Sequence, residues 1–260
     1  MSEDKTWETK VTDIEPNKIR LRGYPIDNLM GRVSYPEAFF LAIVGELPRP
    51  GYRKILDAIL VSSIDHGVTP PSANAAMTIA STGNPLNAAI AAGVLAISKF
   101  HGGAIEGCME TLAYGVVRVE SSGMSVEEAA RKIVIESKEL KQRVPGFGHR
   151  YHSNDPRSLR LFELAKEEGV WGKFTEMAVA VEKALFENSG KKLPINVDGA
   201  IGAVLLEMGI PPSLANAFFI TSRLPGLVAH IVEEKSTQKP MRRIVTADAI
   251  YTGPPERLVE

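Results

Sequence analysis

The stretch PSANAAMTIASTGNPLNAAIAAGVLAIS, Pro71 to Ser98, decides how the rest of the chain is read. It holds two segments, Pro71–Ser81 and Pro85–Ser98, each opened by proline and rich in alanine and other small residues. Proline suits the first turn of a helix, because its missing N–H has no partner there. Small side chains let neighbouring helices approach closely, so the pair is expected in a buried helical layer. Its apolar run, Ala88–Ile97, is too short to span a bilayer. Outward from this pair almost everything beyond Pro25 has helical period. Tyr35 to Gly45 is an apolar run stopped by glycine, and Gly51 to Asp65 carries Ile55, Leu56, Ile59 and Leu60 at helical spacing. Ser125 with Glu128 reads as a capping box opening a helix that runs to about Leu140. Pro156–Glu168, Lys173–Asn188, Gly199–Met208 and Pro212–Glu234 complete the helices. Only Trp7 to Arg22 alternates, around Glu15-Pro16-Asn17, and predicts a short N-terminal β-hairpin. Without βαβ alternation a doubly wound nucleotide fold is disfavoured, and the expected class is mainly α. The charge-rich segment 103–193, bracketed by glycine turns, is expected to form a smaller lobe inserted into a larger one made of 1–102 and 194–260.

Composition narrows the function. In 260 residues, 30 basic against 31 acidic side chains give a formal net charge of −1, which removes the electrostatic case for nucleic acid or an anionic membrane as partner. The single cysteine, Cys108, excludes an intrachain disulfide. With a charged N-terminus that has no apolar h-region, this predicts a soluble, cytoplasmic protein.

Three of the five histidines sit in glycine-containing contexts. His66, in Asp65-His66-Gly67, continues the face of Ile55, Ile59 and Ser62 and is expected to point inward, as a satisfied core histidine or a ligand-binding one. His101 precedes two glycines that suit either a close backbone approach to a ligand or a helix terminus. In Arg143-Val144-Pro145-Gly146-Phe147-Gly148-His149-Arg150 two glycines flank an aromatic between basic residues. Such a loop can meet an anion through backbone N–H groups or be merely a solvated basic turn. Asp155 can cap the helix that Pro156 opens, leaving Arg150 and Arg157 to converge on carboxylates. Asp198 starts a strongly apolar helix, either as its N-cap or as a desolvated acid–base group. Arg223 lies deep in the apolar stretch 215–231, so it is paired internally or awaits an anion. No Walker loop, GxGxxG turn or HExxH pattern occurs, and His149-x-x-His152 has no second ligand pair to make a metal site.

In order, Arg22-Gly23-Tyr24-Pro25-Ile26, Gly45-Glu46-Leu47-Pro48, Asp65-His66-Gly67, His101-Gly102-Gly103-Ala104, Pro145-Gly146-Phe147-Gly148-His149-Arg150, Asp155-Pro156-Arg157, Asn196-Val197-Asp198-Gly199 and Ser222-Arg223 resemble the citrate synthase superfamily along nearly the whole chain. The resemblance implies an all-helical two-lobe fold closing over substrate, in a homodimer or homotetramer whose last segment completes a neighbour's site. Pro48 is followed almost at once by the helix leading to His66, without the additional helices of a synthase. That layout, with Ile195-Asn196-Val197-Asp198-Gly199, is similar to citryl-CoA lyase and to the C-terminal module of ATP-citrate lyase. It implies cleavage of citryl-CoA to acetyl-CoA and oxaloacetate. There His149 would be the base, His101 the donor to the enolate oxygen and Asp198 the carbon acid. His66, Arg150, Arg157 and Arg223 would hold carboxylates. Val144, Pro145, Gly146, Phe147 and Gly148, with Lys138, Lys191 and Lys192, would contact coenzyme A, which enters as a substrate thioester with no metal or prosthetic group. Ser63 stands where many synthases have a second histidine, and Lys239, Arg242 or Arg243 would replace the arginine that reaches the neighbouring subunit. His101 matches the synthases, so a citrate or 2-methylcitrate synthase is an alternative. A non-catalytic partner subunit of a citryl-CoA synthetase is another.

Overall fold

Arg22 shows how the N-terminal strands are tied to the helices. A computed structural model describes residues 7–148, 154–242, 250, 252–253 and 255. In it β1 (Thr12–Glu15), β2 (Lys18–Leu21) and β3 (Tyr24–Pro25) form a three-stranded antiparallel sheet in sequence order, with Ile14 opposite Ile19 and Leu21 opposite Tyr24. The expected hairpin therefore gains a third strand, because the chain reverses again at Arg22 and Gly23, both with positive φ. The Arg22 guanidinium donates to Ala42 O (2.7 and 3.1 Å) and to Lys10 O (3.1 Å), which pins the sheet against the helical body.

After the short α1 (Ile26–Leu29), α2 (Tyr35–Val44) opens with a Ser34–Glu37 capping box and stops at left-handed Gly45. Then come α3 (Tyr52–Ser62), α4 (Pro71–Ser81) and α5 (Leu86–Leu95). The 19-residue α6 (Ala104–Ser122) was not legible in the sequence. Gly107 and Gly115 lower its helix propensity by about 1 kcal/mol each relative to alanine, and both sit where neighbouring side chains pack close. A Cβ at Gly115 would lie 2.7 Å from Ile133 Cδ1 and 2.9 Å from Met177 Sδ. The expected box does open α7 (Val126–Glu139), where Ser125 Oγ accepts from Glu128 N.

The remaining helices are α8 (Pro156–Glu167), α9 (Lys173–Ser189), α10 (Val197–Glu207) and α11 (Ala215–Thr237), the last preceded by a 3-10 turn at Pro212–Leu214. α10 is apolar all round and buried from Gly199 to Leu206. It runs through the main core and packs on α6, α8 and α9, as an all-round hydrophobic helix must. α4 and α5 form a second, alanine-rich cluster with Leu227 and Ile231 of α11. At Gly93 a Cβ would come within 2.9 Å of Leu227 and 3.1 Å of Ser72 O, so the small residues of the opening stretch do serve close approach. No helix among the described residues is long and apolar enough to cross a membrane.

Candidate active site

Four local structures converge on one cavity of about 1040 Å³. The first is the exit of α3. The helix ends at Ser62, four residues before His66, so helical phase does not carry through and His66 is exposed on the cavity wall rather than inward. This corrects the expectation of a core histidine. The chain turns here because Ile64 O packs on α11, where a Cβ at Gly226 would sit 2.3 Å from it. Asp65 accepts from the backbone N–H of His66 and Gly67 and pairs with His230 Nε2 at 2.9 Å. Burial alone would raise the Asp65 carboxyl, but these partners hold it below the ordinary carboxylate range.

The second structure is the tight turn Ser98–His101 with Phe219 behind it. Gly102 has φ +86°, and a Cβ there would lie 2.7 Å from the Phe219 ring. His101 meets that ring edge-on at 5.8 Å, and its Nε2 is 2.8 Å from Ser72 Oγ. Burial, then the charge of Arg223, push the His101 pKa down, so the imidazole is neutral at neutral pH. Four residues on from Phe219 in α11, Arg223 stacks on the same ring, 4.9 Å from its centroid, and donates Nε–H to Ser63 O (2.9 Å). Arg223 is 3% exposed, and burial lowers its pKa against the opposing pull of Asp65 and Asp198. It remains a cation. Phe219 was not foreseen, although its i, i+4 spacing to Arg223 was a usable signal.

The third is the start of α8. Asp155 caps it as expected, accepting from Arg157 N at 3.1 Å, Arg157 Nε at 2.9 Å and Arg157 Nη2 at 2.8 Å. The same carboxylate accepts from Val197 N (3.1 Å), and Ser158 Oγ donates to Ile195 O (2.8 Å), so the α8 entrance fixes the α10 entrance. Asp155 is buried, which would raise its pKa, but the Arg157 guanidinium and the N–H donors outweigh that and lower it. Arg157 lines the cavity with two nitrogens on Asp155. A guanidinium has five N–H donors, so the pair does not exhaust it.

The fourth is the start of α10 lying on the loop 144–148. Gly148 N donates to Pro194 O (2.7 Å), Asn196 N to Gly146 O (3.1 Å), and Asn196 Nδ2 to Gly148 O (2.9 Å). A Cβ at Gly199 would stand 2.3 Å from Gly146 O, and one at Gly146 2.7 Å from both Gly199 Cα and Cys108 Sγ. These glycines therefore serve backbone packing, and the Gly148 N–H faces Pro194 rather than an anion. Asn196 is the N-cap of α10, its Oδ1 accepting from Gly199 N (3.1 Å), which frees Asp198 from the capping role. Asp198 lines the cavity, and burial raises its pKa to about 6 against the pull of Arg157 and Arg223. The neighbouring Cys108 thiol is pushed up by burial and by Asp198, so it stays neutral.

Of the expected residues, His66, His101, Arg157, Asp198, Arg223, Lys138, Val144, Phe147 and Gly148 line the cavity, with Arg143 beside them. Pro145, Gly146, Lys191 and Lys192 are outside the lining. His149, Arg150 and Arg243 fall outside the described residues. Arg242 is taken within its own chain by the buried carboxylate of Glu234, through Nε at 3.1 Å and a second contact from Nη2. Together the wall holds a neutral imidazole, a buried guanidinium and a carboxyl poised to exchange a proton near neutrality, a set suited to acid–base chemistry on an anionic substrate.

The model of the C-terminal domain of citrate synthase matches residues 48–244. Citrate synthase 2 of Bacillus subtilis is 31% identical over 223 residues, covering 84% of this chain and 56% of its own length. The chain spans about half the length of the curated relatives it matches. The solved citryl-CoA lyase of Hydrogenobacter thermophilus is similar over 98% of both chains, at 42% identity and a TM-score of 0.89. The ATP citrate lyase of Methanothrix soehngenii, solved with citrate and coenzyme A, shares the fold over 98% of this chain and 43% of its own, at 21% identity and a TM-score of 0.86.

Proposed function

This chain belongs to the citrate synthase family, and from that premise we propose that it is a citryl-CoA lyase, cleaving (3S)-citryl-CoA to acetyl-CoA and oxaloacetate. The observation that carries the reading is identity. The chain is 42% identical to the citryl-CoA lyase of Hydrogenobacter thermophilus, against 31% for two curated synthase relatives and 26% and 28% for two solved synthases.

In a retro-Claisen cleavage the tertiary hydroxyl loses its proton, the carbon–carbon bond breaks to leave a ketone, and the electron pair passes to the thioester as an enolate. The enolate carbon then takes a proton. Asp198 is the proposed carbon acid. Its pKa of about 6 leaves a protonated fraction near neutrality and lets it return to that state after turnover. His101, neutral and fixed by Ser72 and Phe219, is the proposed donor to the enolate oxygen, a role in which one donor contributes roughly 3–4 kcal/mol. The base role falls to His149 on the resemblance alone. Arg223, Arg157 and His66 are the proposed carboxylate contacts, joined by Arg150. Val144, Phe147, Gly148 and Lys138 form the proposed coenzyme A side of the cavity. The segment 103–193 is the proposed moving lobe, and a homodimer or homotetramer the proposed assembly.

Acetyl-CoA plus oxaloacetate tests this reading. A lyase releases little free thiol from them, while a synthase hydrolyses the intermediate and releases thiol in step with citrate.

A further inference from the structure

The exit of α3 leaves one polar group unexplained. Ser63 lines the cavity and is 1% exposed, and its Oγ makes no hydrogen bond among the described residues. The hydroxyls beside it and its own carbonyl are engaged. Ser62 Oγ donates to Ile59 O, Ser222 Oγ donates to Leu60 O, and the Ser63 carbonyl accepts from Arg223 Nε. A buried hydroxyl without a partner is disfavoured by about 1–3 kcal/mol, and such groups are few in folded proteins. The site keeps it on the residue whose backbone holds the buried guanidinium. Rotation about one side-chain bond aims a serine hydroxyl, and Ser63 and Arg223, joined through the Ser63 carbonyl, line the same cavity.

We propose that Ser63 is a substrate-binding residue whose hydroxyl donates to the carboxylate held by Arg223, the ligand being a four- to six-carbon di- or tricarboxylate. The assignment deepens the lyase reading and rests on it. The hydroxyl then finds its partner in the bound carboxylate. Ser63 discriminates by charge and geometry. The thioester half of the substrate does not touch it, so coenzyme A alone is indifferent to the residue.

Ser63→Ala separates these statements, because alanine fits the space and removes the orphan group. Calorimetric titration of citrate, of oxaloacetate and of coenzyme A into wild type and variant is the test, with thermal unfolding of the ligand-free proteins alongside. The assignment predicts carboxylate affinity about tenfold weaker or more in Ser63→Ala, the scale of a hydrogen bond to a charged group. Coenzyme A affinity is unchanged, and the ligand-free melting temperature is equal or higher. Ser63→Thr, which restores a hydroxyl, recovers part of the carboxylate affinity. Equal carboxylate affinity in wild type and Ser63→Ala overturns the assignment and leaves the lyase reading standing. A wild-type chain that binds neither citrate nor oxaloacetate overturns both.

Discussion

Asp198 draws its pKa of about 6 from burial at the cavity wall, with Arg157 and Arg223 pulling the other way. The shift has a sign that can be measured. Below the unfolded carboxyl value of 3.8 both states are protonated and the shift has no effect on stability. Between that value and about 6 the unfolded chain ionises while the native carboxyl resists, so native stability falls as pH rises through this window. Asp198→Asn does not titrate. It is therefore expected to gain on wild type by up to about 3 kcal/mol between pH 4 and pH 8 in urea unfolding. A stability difference that does not change with pH contradicts the raised value. The same variant keeps size and polarity but cannot transfer a proton, so cleavage is expected to fall by about 10²–10⁴-fold. Arg223 belongs to the same scale. Arg223→Leu is expected to weaken citrate and oxaloacetate binding by a few kcal/mol, the range for truncating one side of a buried charged contact. Equal calorimetric affinity in a variant that still melts cooperatively would show that Arg223 serves Phe219 and Ser63 alone.

The elements explain which parts of the site could be read in advance. α7 and α8 announce themselves through Ser125-x-x-Glu128 and Asp155-Pro156, where capping chemistry is local and needs no tertiary partner. α6 hides because its glycines answer to Ile133, Met177 and Pro145, all remote in sequence. His66 was misplaced for a related reason. The end of α3 is set by the contact of Ile64 with Gly226, more than 150 residues away, and periodicity cannot see it. The glycine loop at 146–148 was visible as a feature, but its work is to pair with 194–196 and carry the start of α10. Gly199→Ala tests this directly, since its Cβ would meet Gly146 O at 2.3 Å between two backbones that have no slack. Overpacking of this kind typically costs about 1–3 kcal/mol. Urea unfolding is expected to show that loss, accompanied by weaker citrate binding as Asp198 shifts. Unchanged stability means the α10 entrance is looser than these contacts require.

At the scale of the molecule, helices converge so that residues 63, 101, 198 and 223, far apart in sequence, share one cavity wall. The ordered set of short motifs made that convergence readable as a family resemblance, while distance, burial and pairing had to come from the structure. The pairing of Arg242 with Glu234 within the chain is one such feature. The central claim concerns the fate of one bond, and the most direct measurement follows (3S)-citryl-CoA supplied to the isolated chain, with its products separated by chromatography. The account predicts acetyl-CoA and oxaloacetate in equal amounts, with free coenzyme A and citrate at the level of spontaneous hydrolysis. Dominant release of free coenzyme A and citrate, or no turnover by the isolated chain, would contradict it.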